Sequence, residues 1–273
     1  MADAIHAKIF QVRAVDIDQG GFIQPVVFLD YLLEAAGEQA AFFRLAVTDL
    51  FEKGRTWVLS RFHVRFARYP RWGEHVEIKT WPSDMLPLYA LRDFEATAGS
   101  GIIARATSSW LIVDLATRRP IRTSEHLGEF PKFERRVIDD GFSPLPSLSR
   151  EDRRMEFPVF FSDLDINRHV TATVYVQRAL ETVPEDVLFG YRPASIEVNF
   201  RGEAFYGDRI VSRLERIRLP GSLVETAANA ASIRPAESKS DPGPPRLEFL
   251  HRLSRASDDK ELTLLRTSWD WGT

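Results

Sequence analysis

One short segment of the chain combines the side chains that proton-transfer chemistry requires. The segment SDLDINRHV places Asp165, Asn167 and His169 at alternating positions, just before a stretch with helical periodicity. A histidine moves protons near neutral pH, and a carboxylate can orient it or activate water. An amide can position water or substrate without changing its charge. Backbone N–H groups at the start of the helix, near Val170, can hold a carbonyl oxygen as it gains negative charge.

Each of these residues also has an ordinary structural interpretation when it is considered alone. An aspartate at 163 or 165 can cap a helix or form a turn, and Asn167 is a common turn residue. His169 can be a surface or capping histidine, and Glu203 can be a solvated acid at a strand end. Their presence together in one part of the chain is what favours the functional interpretation.

The chain resembles one unit used twice. Three pairs of segments match in the same order: VDIDQGGFI with SDLDINRHV, VRFARYPRWGEHV with VNFRGEAFYGDRI, and RATSSW with RTSW. One match can arise by chance, but three in the same order indicate a duplication.

Polar groups are distributed unequally between the two copies. Two acids are kept in both: Asp16 with Asp163, and Asp18 with Asp165. The second copy alone has an amide, a histidine and a glutamate at three further positions: Gly20 against Asn167, Phe22 against His169, and Tyr69 against Glu203. Proton-handling side chains are therefore concentrated in the second copy, as expected for one working site and one degenerate site.

The order of the predicted elements repeats as well. Pro25 opens a helical pattern with apolar residues three and four apart as far as Phe43. A second helix is predicted from about Val170 to Val183. The predicted strands are near 62–67, 76–80, 88–97, 102–113 and 196–201, after Gly207, and near 247–253 and 262–271. The segment 124–152 is rich in Pro and Ser and is typical of a linker, and 234–245 is typical of a mobile loop.

One helix followed by a run of antiparallel strands, twice over, predicts an α+β fold. Each unit is expected to wrap its sheet around a long helix. Two such units can cover sheet edges or faces that neither leaves bare without cost. We therefore expect an N-terminal domain at 1–130, a linker at 131–152 and a C-terminal domain at 153–273.

Composition excludes several kinds of site. The 273 residues are 44% hydrophobic and 27% charged, which is typical of a soluble globular protein. The absence of cysteine excludes disulfides, thiolate metal sites and a cysteine nucleophile. The histidines lack metal-ligand spacing, and no GxSxG, GxGxxG or P-loop sequence occurs. No metal and no cofactor are expected.

Charge and hydropathy limit the expected partners and location. The net charge of −3 gives no general case for nucleic acid. The first residues, MADAIHAKIF, lack the features of a signal or transit peptide. No apolar run approaches the ~20 residues that cross a bilayer. We therefore expect a cytoplasmic protein without a membrane span.

Several further segments resemble one known family. RFHVRFARYPRWGEHVEIKTWP, followed by LRDF, ATSSWLIVD and TRRPIR, resembles the first domain of acyl-acyl carrier protein (acyl-ACP) thioesterases. SDLDINRHV, followed by VYV and ALE, resembles their catalytic loop and helix. The resemblance extends over about 6–271. It implies two tandem hotdog domains, in agreement with the repeat, of which the first binds the acyl chain and the second is catalytic.

The resemblance implies roles for individual residues. Asp165, Asn167 and His169 match the family's Asp-x-Asn-x-His set, and Glu203 matches a glutamate on the following strand. The next position holds a cysteine in plant members and is Ala204 here. Water activated by the Asp/Asn/His/Glu network is therefore the expected nucleophile.

The resemblance also implies an apolar tunnel beside the first helix. Candidate substrate-binding residues are Phe28, Leu32 and Phe43 for the acyl chain and Val170 near the thioester. The family often has Asn-Asn after Val170, whereas this chain has Thr171 and Ala172. That departure puts fine positioning of the substrate in doubt.

The expected reaction is hydrolysis of fatty acyl-ACP to free fatty acid and holo-ACP. The expected partner is acyl carrier protein with the acyl chain on its 4'-phosphopantetheine. Two alternatives stay open: an acyl-CoA thioesterase of the same fold, and a non-catalytic protein that binds acyl thioesters. The chain is expected to be a monomer or a homodimer.

Overall fold

The structure, a computed structural model, describes residues 4–123, 127, 132–217 and 246–271. The predicted mobile loop at 234–245 lies outside the described residues. No helix within the described ranges is both long and apolar enough to span a bilayer.

The first half of the chain has the predicted order of one long helix and a run of strands. Its elements are β1 (His6–Gln11), α1 (Pro25–Phe42), α2 (Val47–Phe51), β2 (Arg55–Phe66), β3 (His75–Met85), β4 (Ala90–Ala98), β5 (Gly101–Asp114) and β6 (Pro120–Ile121). Pro25 suits the first helical turn because the N–H group it lacks would have no partner there. The helix then buries an apolar face that includes Phe28 and Leu32.

The second half repeats this order. Its elements are β7 (Arg153–Pro158), a 3₁₀ turn (Phe161–Asp163), α3 (Ala172–Leu180), α4 (Glu185–Gly190), β8 (Tyr191–Phe200), β9 (Arg209–Ile217), β10 (Leu247–Arg255) and β11 (Glu261–Trp271). The strands predicted from alternation are confirmed, whereas β1, β6, β7 and the short helices α2 and α4 were not predicted.

The helix of the second half is shorter than predicted. It covers nine residues rather than the stretch from Val170 to Val183. Val170 is held in an extended bridge with Leu164 before the helix begins. Near the other end the Thr182 hydroxyl donates to the carbonyl of Arg178, 3.0 Å away. Pro184, just before α4, disfavours helical backbone at Val183, so α3 does not continue.

The strands of both halves form one continuous antiparallel sheet. Their order is β1-β3-β4-β5-β2-β8-β11-β10-β9-β7, so the order within each half is the same and the halves join at β2 and β8. In that junction Phe62 pairs with Val198, and Val64 pairs with Ile196. Phe62 and Ile196 are matched positions of the repeat, as are Val64 and Val198. The halves are therefore related by an approximate twofold axis, which confirms the duplication.

The segment 132–152 has no helix or strand but is tied to both halves. Asp140 Oδ2 lies 2.7 Å from Nδ1 of His63 on β2. The Ser149 hydroxyl donates to Glu215 on β9, 2.5 Å away. The connection between the halves is thus held against the sheet by polar contacts.

Candidate active site

The loops that precede α1 and α3 have the same backbone hydrogen bonds. In the second loop the N–H of Asp165 donates to the carbonyl of His169, 2.8 Å away. In the first loop the N–H of Asp18 donates to the carbonyl of Phe22 at the same distance. The alignment read from the sequence therefore holds in three dimensions, with His169 at the position of Phe22.

The carboxylate of Asp165 shapes the second loop. Its Oδ1 accepts the backbone N–H groups of Asn167 at 2.8 Å and His169 at 3.1 Å. Its Oδ2 accepts the side-chain amide of Asn167 at 3.1 Å. Asp18 accepts the corresponding backbone groups of Gly20 and Phe22 at 2.8 and 3.2 Å. Asp18 and Asp165 therefore hold the backbone of their loops in the same way.

His169 and Glu203 lie close together. Nδ1 of His169 is 3.4 Å from Oε1 of Glu203. The His169 ring packs edge-on against Phe205, with 5.0 Å between ring centroids. The His169 side chain is 15% exposed and that of Glu203 is 36% exposed. The pair is therefore accessible to solvent, while the histidine ring is held by its neighbours.

Glu203 is held from both halves of the molecule. Its other carboxylate oxygen, Oε2, accepts a hydrogen bond from the guanidinium of Arg118, in the turn between β5 and β6. Its backbone carbonyl accepts a hydrogen bond from Arg255 of β10, at 2.8 Å. Arg118 was not predicted as a site residue, although it lies in the segment TRRPIR that carries part of the family resemblance.

Asn167 is also held across the junction of the halves. The hydroxyl of Thr56, on β2, donates to Oδ1 of Asn167 at 3.1 Å, while the amide nitrogen donates to Asp165. This arrangement fixes the orientation of the amide and leaves one of its N–H groups for a ligand. Thr56 had no signal in the sequence, because its contact depends on the pairing of β2 with β8.

The backbone N–H groups just before α3 are already used. That of His169 donates to Asp165, that of Val170 to the carbonyl of Ala204 at 3.0 Å, and that of Thr171 to the carbonyl of Asp163 at 2.9 Å. Val170 is also only 5% exposed. The contact of Val170 with the thioester stays a prediction, and the backbone N–H of Val170 is not a free donor for it. By helix geometry, the unpaired N–H groups begin at Ala172 and Thr173.

An apolar cavity of about 200 Å³ lies beside α1 in the first half. It is lined by side chains of α1, the segment before β2 and strands β2 to β5: Leu33, Gly37, Ala40, Leu45, Ala46, Val47, Trp57, Pro82, Ala90, Leu91, Arg92 and Trp110. Trp57 follows Thr56, whose hydroxyl contacts Asn167. The strand β2 thus connects the cavity to the second loop.

The lining of this cavity differs from the prediction. Phe28 and Leu32 are at most 1% exposed and pack in the main core, because their face of α1 is turned away from the cavity. Leu33, one position further along the helix, lines it instead. Phe43 packs beside the cavity in a small cluster that contains Leu45.

Arg92 is the only charged residue that lines the cavity among the described residues. Its guanidinium donates to Gln39 Oε1 at 2.6 Å and to the Thr80 hydroxyl at 3.1 Å. Burial lowers the pKa of Arg92 to about 10. One wall of an otherwise apolar space is therefore polar.

Family models match almost the whole chain. The model of the acyl-ACP thioesterase N-terminal domain matches 3–129, and that of the acyl-ACP thioesterase C-terminal domain matches 147–270. The chain belongs to the acyl-ACP thioesterase family. The resemblance stated from the sequence is thereby confirmed.

Curated acyl-ACP thioesterases are distant relatives of the chain. Oleoyl-acyl carrier protein thioesterase of Coriandrum sativum is 28% identical over 230 residues, which cover 78% of this chain and 61% of that protein. Palmitoyl-acyl carrier protein thioesterase of Gossypium hirsutum is 27% identical over 284 residues, which cover 97% of this chain and 63% of that protein. The chain thus spans about three fifths of the length of these relatives.

Solved structures of acyl-ACP thioesterases have the same fold. An acyl-ACP thioesterase from Bacteroides thetaiotaomicron superposes with a TM-score of 0.76 at 19% identity, over 98% of both chains. The 12:0-ACP thioesterase from Umbellularia californica superposes with a TM-score of 0.80 at 21% identity, over 98% of this chain and 95% of that one. The predicted tandem hotdog fold is confirmed.

Proposed function

We propose that this thioesterase-family chain hydrolyses fatty acyl-ACP to free fatty acid and holo-ACP. The observation that carries the proposal is the pairing of His169 with Glu203, 3.4 Å apart, beside an oriented Asn167. These three side chains are absent from the matched positions of the first copy, which are Gly20, Phe22 and Tyr69. The family membership of the chain supports the same reaction.

Glu203 and His169 activate the attacking water in this proposal. The water oxygen attacks the thioester carbonyl carbon as its proton passes to the pair. The tetrahedral intermediate then collapses, the C–S bond breaks, and the pantetheine thiolate leaves with the proton that the pair returns. General acid–base catalysis of this kind contributes roughly 10²–10⁴-fold. Asp165 is assigned to holding the loop, because its oxygens accept hydrogen bonds from groups of that same loop, as those of Asp18 do in the first copy.

Asn167 stabilises the negative charge on the carbonyl oxygen. Its carbonyl side faces the Thr56 hydroxyl, so its remaining N–H is available as a donor. The unpaired N–H groups of Ala172 and Thr173, at the start of α3, are the other candidate donors. One donor of this kind contributes about 3 kcal/mol to transition-state stabilisation.

The acyl chain occupies the apolar cavity beside α1. The cavity belongs to the first half, and the groups that act on the thioester belong to the second. The proposal therefore includes the predicted roles of the two domains, with acyl-chain binding by 1–130 and catalysis by 153–273. Leu33, Ala40 and Trp57 contact the acyl chain in place of Phe28 and Leu32. The acyl length that the protein prefers follows from the depth of this cavity.

Acyl carrier protein, rather than coenzyme A, is the proposed carrier. Arg118 and Arg168 flank the His169–Glu203 pair and both are exposed. Arg118 forms an ion pair with Glu203, so Arg168 is the exposed positive charge that favours encounter with an acidic protein that presents a pantetheine phosphate. The cytoplasmic location and the monomeric or dimeric state stay predictions.

Side-by-side kinetics on palmitoyl-ACP and palmitoyl-CoA test the reaction and the carrier together. We expect release of fatty acid from both, with a kcat/KM at least about tenfold higher for the ACP substrate and reduced by added salt. A preference for CoA would identify an acyl-CoA thioesterase. Tight retention of uncleaved acyl-ACP would identify a binding protein without hydrolytic activity.

A further inference from the structure

The turn that carries Glu203 is fixed by a buried tyrosine of α3. The hydroxyl of Tyr175, on α3, accepts the backbone N–H of Ala204 at 2.9 Å. Tyr175 is 3% exposed and Ala204 is fully buried. Burial raises the pKa of Tyr175, so its hydroxyl stays protonated and neutral.

The first copy of the repeat lacks both partners of this hydrogen bond. Phe28 occupies the position of Tyr175 and has no hydroxyl, and Pro70 occupies the position of Ala204 and has no N–H. The remaining contacts are retained. The carbonyls of Pro70 and Ala204 both accept the N–H of the matched residue of their loop, at 2.9 and 3.0 Å.

The two differences belong together. A tyrosine at 28 would bury a hydroxyl that receives no hydrogen bond, because Pro70 has no N–H to donate. A phenylalanine at 175 would leave the buried N–H of Ala204 without an acceptor. The hydrogen bond is thus present only in the copy that carries a glutamate beside it. In the other copy the neighbouring residue is Tyr69.

We propose that Tyr175 is a positioning residue for Glu203. It ties the backbone directly after the glutamate to the helix that follows His169, while Arg255 holds the glutamate carbonyl. The carboxylate is thereby kept within reach of the imidazole. This inference rests on the proposed role of Glu203 in activating water.

The test compares Tyr175→Phe with Thr182→Val. The hydroxyl groups of Thr182 and Ser212 lie 2.7 Å apart and Thr182 is fully buried in the same domain, so loss of the Thr182 hydroxyl is a matched structural control. With palmitoyl-ACP as substrate, we expect Tyr175→Phe to lower kcat roughly 10- to 100-fold with little change in KM. Thr182→Val is expected to lower Tm comparably and to leave kcat within about twofold.

Combining Tyr175→Phe with Glu203→Gln shows whether the tyrosine acts through the glutamate. If it does, the double variant is no slower than Glu203→Gln alone. Multiplied losses in the double variant, or equal kcat losses in Tyr175→Phe and Thr182→Val, would overturn the inference. Wild-type activity in Glu203→Gln would instead overturn the proposed function, and the inference with it.

A second variant keeps the test open if Tyr175→Phe folds poorly. Tyr175→Phe combined with Ala204→Pro reproduces the Phe28–Pro70 pair of the first copy and removes the unpaired N–H. We expect this variant to regain stability but to keep a low kcat, because no bond ties the turn to α3. A return of kcat to the wild-type value would refute a positioning role.

Discussion

The loops before α1 and α3 share their backbone and differ in their side chains. Each closes on an aspartate, Asp18 or Asp165, whose carboxylate accepts two backbone N–H groups. The first loop then presents Phe22 where the second presents His169. Since the first loop keeps these bonds without a histidine, the bonds stabilise the fold. The residues that differ are the ones available for chemistry.

The contacts that each loop makes with the opposite half also differ. Arg192, from β8, forms an ion pair with Asp18 of the first loop and stacks on Phe22, 4.0 Å from the ring centroid. Thr56, from β2, donates to Asn167 of the second loop. The approximate twofold axis thus brings a residue of each half to the other's loop. The Arg192–Asp18 ion pair neutralises the aspartate of the first loop, whereas the hydrogen bond from Thr56 orients the amide of Asn167.

The largest difference between the copies is expected at Glu203 and its counterpart Tyr69. Glu203→Gln should lower kcat for acyl-ACP by roughly 10²–10⁴-fold, because the group proposed to accept the water proton is removed. Tyr69→Phe removes a hydrogen bond from the tyrosine hydroxyl to the carbonyl of Pro193, 2.7 Å long. It should cost about 1 kcal/mol of stability and leave kcat within about twofold. Steady-state kinetics and thermal unfolding of both variants measure the contrast.

Equal activity losses in these two variants would contradict the assignment of one working copy. The result would then point to a general effect of the β2–β8 junction on the fold. A Glu203→Gln variant with a native Tm and an unchanged kcat would remove Glu203 from the mechanism altogether.

The second contrast is between the proposed binding of the acyl chain in the first half and the proposed chemistry in the second. Ala40→Leu fills part of the cavity and should reduce kcat/KM for long acyl chains by about tenfold or more relative to short ones. Ala41→Leu, on the exposed side of the same helix, is the matched control and should leave the ratio unchanged. Product profiles from mixed acyl-ACPs report the shift. An equal loss of kcat/KM for acyl chains of all lengths would mean that the acyl chain binds outside this cavity.

Much of this architecture could be read from the sequence. Pro25 and the periodicity after it marked α1, and the Asp16–Asp163 and Asp18–Asp165 matches located both loops. The predicted end of α3 was wrong because the apolar spacing continues to Val183, directly before Pro184. The helix itself ends three residues earlier, at Leu180.

The site could be read only in part, for a physical reason. Asn167, His169 and Glu203 stood out because the repeat offers a direct comparison at each position. Thr56 and Arg118 could not, since their contacts depend on which strands pair across the junction of the halves. Tyr175 was readable from its match with Phe28, but only together with the match of Ala204 and Pro70.

A smaller effect on activity is expected for the aspartates that both loops share. Asp165→Asn keeps an acceptor for the backbone N–H groups but sets its new amide against the amide of Asn167. We expect roughly a tenfold lower kcat through misorientation of Asn167. Asp18→Asn should lower Tm by breaking the ion pair with Arg192 while leaving kcat nearly unchanged. A loss in Asp165→Asn as deep as that in Glu203→Gln would make Asp165 the general base.

The smallest expected effect concerns the residue before His169. Arg168 has a φ of +62°, whereas its counterpart in the first loop is Gly21 with a φ of +76°. A non-glycine residue in this left-handed region costs roughly 1–2 kcal/mol, so the second loop retains a strained residue where the first has none. The Arg168 side chain is exposed beside the proposed catalytic pair. We expect its guanidinium to contact the carrier protein, which gives a reason for keeping an arginine at this strained position.

Arg168→Gly separates the two contributions. It should raise the free energy of unfolding by about 0.5–1 kcal/mol, since relief of strain outweighs the added entropy of the unfolded chain. The KM for acyl-ACP should rise severalfold at low salt, while the KM for acyl-CoA stays within about twofold. Gly21→Ala in the first loop is the matched control, with lower stability and unchanged KM values. If Arg168→Gly alters neither KM nor stability, the left-handed arginine is a neutral feature of the loop and carrier recognition lies elsewhere.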